Sequence, residues 1–211
     1  MRPRLRTHKL KGTSLIEVLV VTVLLTLVTG LMVSVYLLGN RYLNRTQLLS
    51  RLQQQASQAI YKIAFELSAT TDSNFSLNSV TGPNPHVWFL SSQTNDGKFH
   101  YSQTNGAQLW QRWVCFYLDT ASSDLYRVSV PLTSSNNSPP FTAIAPPASL
   151  AMFQSPSVTQ RTLAGQSVSD FRVTPVGASL YEVTVSCKMT DRENKEWIHT
   201  LATQVYLQQT D

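Results

Sequence analysis

The sequence predicts an α+β protein: a long N-terminal α-helix, with a membrane half and an amphipathic half, packs on a C-terminal antiparallel β-rich domain. No proline or glycine interrupts the helical pattern between Gly39 and Thr81. From Pro83 the apolar period changes to two, which is typical of strands with one buried face. Turn signals such as Asn105-Gly106 separate the alternating segments and favour antiparallel hairpins.

Residues 1–12 form a basic leader. Of the 17 Lys and Arg residues, five lie in this leader, so the remaining 12 balance the 12 acidic residues. The net charge of +5 therefore comes from the leader, and the formally neutral remainder implies no large basic surface. We expect no nucleic-acid partner. Basic residues beside an apolar segment stay in the cytoplasm, so we expect a cytoplasmic N-terminus and an exported remainder.

The segment 13–40 is predicted to be a transmembrane or filament-core half of the helix. No side chain from Val18 to Gly39 ionises at pH 7, and these 22 residues would span about 33 Å as a helix, close to the hydrocarbon thickness of a bilayer. Small and hydroxyl residues at spacings of three and four suit close helix packing. They are Thr22, Thr26, Thr29, Gly30 and Ser34. The alternative is a plain membrane anchor whose threonines bond to their own helix.

The segment 41–70 is predicted to continue the same helix as an amphipathic half, giving one helix of more than 50 residues. Its apolar stripe must dock on the sheet that follows. The stripe consists of Leu49, Leu52, Ala56, Ala59 or Ile60, Ile63 and Leu67.

The segment 83–208 is predicted to be the exported β-rich domain. A Ser- and Pro-rich stretch, 133–166, is interpreted as either a long surface loop or a poorly ordered segment within it. The predicted strands are His86–Ser92, Lys98–Gln103, Gln108–Asp119, Asp124–Leu132, Val168–Val176, Leu180–Asp191 and Glu196–Leu207.

Aromatic residues of the domain are expected to fill its core, although an exposed polymer-binding platform is an alternative. In Gln108–Asp119 the alternation places Trp110, Val114, Phe116 and Leu118 on one face and Trp113, Cys115 and Tyr117 on the other. Cys187 lies on the apolar face of its own strand. A disulfide between Cys115 and Cys187 and two buried free thiols both remain open.

The domain carries no recognisable catalytic or cofactor signature, and we expect neither an enzyme nor a metal or other cofactor. The histidines His8, His86, His100 and His199 are isolated and lack the spacing of metal ligands. Two acidic turns, at Asp96 and at 191–194, are the candidates for calcium binding, with ordinary hairpin turns as the alternative.

One carboxylate, Glu17, is the only charge from Gly12 to Asn40. An unpaired carboxylate in hydrocarbon costs a few kcal/mol or more, so Glu17 needs a compensating cation. The run from Gly12 through Thr13-Ser14-Leu15-Ile16 to Glu17 and Val20 resembles the processing site of type IV pilins and type II secretion pseudopilins. The basic leader and the uninterrupted apolar helix match as well, while the family usually has Phe where this chain has Thr13.

The resemblance implies that a membrane prepilin peptidase cuts between Gly12 and Thr13 and methylates the new amine of Thr13. It also implies that the subunit leaves the inner membrane for a filament of several pilin or pseudopilin subunits, through an inner-membrane assembly platform. In such a filament Glu17 would pair with the N-terminal amine of a neighbour. By size and layout the chain resembles the larger minor subunits near the filament tip. The alternative function is a membrane-anchored periplasmic module that binds polysaccharide or DNA.

Overall fold

A computed structural model describes residues 14–71, 75–78, 85–94, 98–101, 103, 106, 108–132, 149–155, 160–191 and 193–207. The chain divides into two compact units, Met1–Gln47 and Leu48–Asp211. The predicted α+β class is confirmed, because one long N-terminal helix precedes a domain of antiparallel sheets.

Helix α1 runs without interruption from Leu15 to Leu67, a length of 53 residues. It therefore belongs to both units, and the prediction of one helix of more than 50 residues is confirmed. The helix ends in tight turns, where Ala69 N–H donates to Glu66 O and Thr70 N–H to Leu67 O.

The described strands form two antiparallel sheets, a five-stranded one ordered β1-β2-β3-β4-β5 and a three-stranded one ordered β6-β7-β8. A short helix, α2, precedes β5. In chain order the elements are β1 Phe75–Asn78, β2 His86–Ser91, β3 Arg112–Asp119, β4 Asp124–Pro131, α2 Leu150–Gln154, β5 Gln160–Gly165, β6 Val168–Gly177, β7 Leu180–Thr190 and β8 Glu196–Tyr206.

The main core lies between the second part of α1 and one face of each sheet. The predicted stripe is buried, because Leu52, Ala56, Ala59, Ile63 and Leu67 are all 0 % exposed. Full burial of one leucine or isoleucine contributes about 1.5–3 kcal/mol, so this stripe is a principal attachment of α1 to the sheets. The alanines also permit a close approach.

Gly165, at the end of β5, shows how close that approach is. A Cβ atom added there would lie 3.0 Å from the Ala59 Cβ. A side chain at position 165 would therefore push the helix away from the sheet, and the chain has glycine at this contact.

A second core covers the opposite face of the five-stranded sheet. It contains Trp88, Trp113, Cys115 and Tyr117 from the sheet and Phe153 from α2. Consequently β3 is buried on both faces, which explains its almost continuous apolar sequence.

The predicted alternation of β3 is confirmed for Val114, Phe116 and Leu118 on one side and for Trp113, Cys115 and Tyr117 on the other. The prediction was wrong for Trp110. This residue precedes the strand, where the alternation does not hold, and it joins the second core.

Three elements were not predicted: β1, α2 and β5. The last two lie in 133–166, so the interpretation of that stretch as one loop was wrong. Conversely, the predicted strand Lys98–Gln103 is not found in the described part of that segment, 98–101 and 103. In the described part of that segment only Phe99 and Tyr101 form isolated bridges, to Gln93 and Gln108.

Two polar contacts connect the last turn of α1, and the turn that follows it, to the five-stranded sheet. Arg127 Nε donates to Glu66 Oε1 at 2.5 Å, and the two side chains are only 14 % and 11 % exposed. The buried Thr70 hydroxyl donates to Leu90 O at 2.8 Å. The register of the helix on the sheet is therefore fixed by directional bonds as well as by apolar packing.

Candidate functional site

The N-terminal unit is described from Ser14 onward. The N–H groups of Glu17 and Val18 donate to Ser14 O at 2.9 and 3.2 Å, so α1 begins directly after this serine. Glu17 lies in the first turn, where the helix dipole favours a negative charge. Gly12 and Thr13 lie outside the described residues, and the cleavage and methylation predicted for them stay predictions.

Every residue from Ser14 to Gln47 is exposed, although most are apolar. The mean hydropathy of the most apolar window of α1 is 2.6, and none of that window is buried. By length and composition α1 could cross a membrane, and no other helix in the described ranges meets that test. An exposed apolar surface of this extent is typical of segments that contact lipid or protein.

The hydroxyl groups of this segment bond to their own helix. Thr22 donates to Val18 O at 2.8 Å and Thr29 to Leu25 O at 2.7 Å. Thr26 and Ser34 bond in the same way. This is the hydrogen-bonding pattern of the alternative interpretation, and it satisfies the hydroxyl donors of these four side chains within the helix itself. Close helix packing at these positions stays a prediction.

Glu17 is far along the helix from any other charged residue of α1. Among the described residues it makes no ion pair, and the next ionised residue of α1 is Arg41. At 1.5 Å per residue these two positions are about 36 Å apart along the axis. No cation of α1 can therefore neutralise this carboxylate in an apolar environment.

The two cysteines are free and buried, in different cores. Cys115 belongs to the core that contains α2, whereas Cys187 belongs to the core beneath α1. Of the alternatives left open by the sequence, the structure therefore has two free thiols, because the sheet separates the side chains. Burial raises the pKa of the Cys187 thiol to about 11, and it raises the pKa of Cys115 further.

The turn at 191–194 uses its carboxylate to shape the hairpin between β7 and β8. Asp191 accepts N–H bonds from the Glu193 and Lys195 backbones and from the Trp197 indole. The Trp197 bond, followed by the Lys195 bond, holds the pKa of Asp191 below its usual value. This carboxylate is committed to the turn, while Asp96 lies outside the described residues. Among the described residues no three His, Cys, Asp or Glu side chains form a metal-ligand group.

The tryptophans serve mainly as core residues, as predicted. Trp88, Trp110 and Trp113 are at most 6 % exposed, and Trp197 is half-buried against the main core. These side chains therefore do not form a flat exposed platform.

The Glu66–Arg127 pair is the polar feature that sequence reasoning missed. Each residue was visible as a charge near the end of a predicted helix or within a predicted strand. Nothing in the spacing pairs residues 61 positions apart.

Comparisons of the chain with protein-family models, with curated proteins and with solved structures find no match.

Proposed function

We propose that this protein is a minor pilin-like or pseudopilin subunit of a type IV pilus or a type II secretion-type filament. A prepilin peptidase removes residues 1–12, and the mature chain assembles through the helix that begins at Thr13. The subunit lies near the filament tip. The β-rich domain has no catalytic role in this proposal.

The observation that carries the proposal is the position of Glu17. It lies five residues after Gly12, in the first turn of an exposed apolar helix, and no described residue neutralises it. A membrane anchor alone has no use for a carboxylate at this place, because its insertion is unfavourable. A subunit that receives a cation from a neighbour does have such a use.

Cleavage after Gly12 would create the required cation. The new amine of Thr13 lies four residues from Glu17, so in a staggered array of parallel helices the amine of one subunit meets the carboxylate of the next. Burial of both charges is tolerable when they are paired, whereas a single buried charge is strongly destabilising. Pairing would therefore favour one axial stagger between neighbouring subunits.

Before assembly the chain would reside in the bacterial inner membrane, with the leader in the cytoplasm and the β-rich domain in the periplasm. Its partners would be other pilin or pseudopilin subunits, the prepilin peptidase and the inner-membrane assembly platform. The basic leader supports this orientation, because Lys and Arg residues are retained on the cytoplasmic side.

The test is the mature N-terminus. The full chain is co-expressed with an active prepilin peptidase and, in parallel, with a catalytically inactive one, and the purified products are analysed by intact-mass and terminal-peptide mass spectrometry. We expect loss of residues 1–12 and a methylated Thr13 with the active enzyme only. The variant Gly12→Leu serves as the uncleaved control.

An intact Met1 in the presence of the active peptidase would contradict the proposal. That result would favour a membrane-anchored binding module, in which the leader stays attached and Glu17 has no subunit to meet.

A further inference from the structure

We draw no further inference here: the strongest candidate, the edge of the three-stranded sheet formed by β8, along which no described strand pairs on the side away from β7, carries nothing because nothing in the structure shows what covers it.

Discussion

Helix α1 carries two carboxylates, Glu17 in its first turn and Glu66 in its last, and their surroundings differ. Glu66 is nearly buried and meets the guanidinium of Arg127 from β4. Glu17 is exposed on an apolar surface and meets no cation among the described residues. The same contrast applies to the apolar side chains: Leu52 is 0 % exposed, whereas Leu24 is 57 % exposed.

The difference shows that the two parts of this continuous helix interact differently. The second part packs on its own chain through an apolar stripe and forms one ion pair with it. The first part has an apolar surface and a charge that no described residue satisfies. The proposed function assigns the partners of this part to the membrane and to other proteins.

The largest expected effect comes from removing the first carboxylate. In Glu17→Leu, membrane insertion should be unchanged or improved, because a costly charge is lost. Association with other filament subunits should weaken by about 3–5 kcal/mol, a factor of about a hundred or more, since the neighbour's amine would be left as an unpaired buried charge. The measurement is site-specific cross-linking in membranes, with Val18→Leu as the control. Undiminished cross-linking in Glu17→Leu would show that the two carboxylates do not differ in this way.

The next comparison truncates one leucine in each part of the helix. Leu52→Ala should lower the free energy of unfolding of the domain by about 3 kcal/mol, because it leaves a cavity in the core. Leu24→Ala removes the same atoms from an exposed position and should change the free energy of unfolding by less than about 0.5 kcal/mol. Urea unfolding of the detergent-solubilised chain, followed by tryptophan fluorescence, reports on the domain because all four tryptophans lie there. If the two variants lowered the free energy of unfolding equally, the division of α1 into an exposed part and a part packed on the domain would be contradicted.

A smaller effect is expected at the second carboxylate. Glu66→Gln should destabilise the domain by about 2 kcal/mol, because the nearly buried Arg127 loses a charge-assisted bond. The double variant Glu66→Leu with Arg127→Met should recover at least half of that loss, since no buried charge remains unpaired. The same urea titration measures both variants. If the double variant is less stable than Glu66→Gln, the pair has a role beyond neutralising two charges.

Much of the fold followed from periodicity. Helix α1 and strands β2, β4, β6, β7 and β8 carry strong patterns of 3.6 or two residues, and each is present close to its predicted place. The elements that were missed have weak local signals. Strand β1 has four residues, α2 has five, and β5 contains a charge and a terminal glycine. Such elements depend on pairing or packing with distant residues, which spacing alone does not reveal.

The features of the candidate site also differ in whether they could be predicted from the sequence. Glu17 and the apolar run are local features and could be identified from about ten residues. The Glu66–Arg127 pair and the separation of the two thiols arise from tertiary contacts. The alternation placed Cys115 on the less apolar face of its strand. Only the second core explains why this face is buried as well.

The two buried thiols have a consequence for the export that the proposed function includes. In the folded domain burial raises the pKa of the Cys187 thiol, so little thiolate is present at neutral pH and an oxidant meets little reactive nucleophile. In the unfolded chain both thiols are accessible and of ordinary reactivity. In the periplasm, the compartment that the proposed function assigns to this domain, folding and oxidation would therefore compete in time. Antiparallel β domains fold in milliseconds to seconds, whereas disulfides form in seconds to hours. A chain that folds promptly keeps both thiols reduced, while a variant that folds slowly can be trapped by a non-native cross-link.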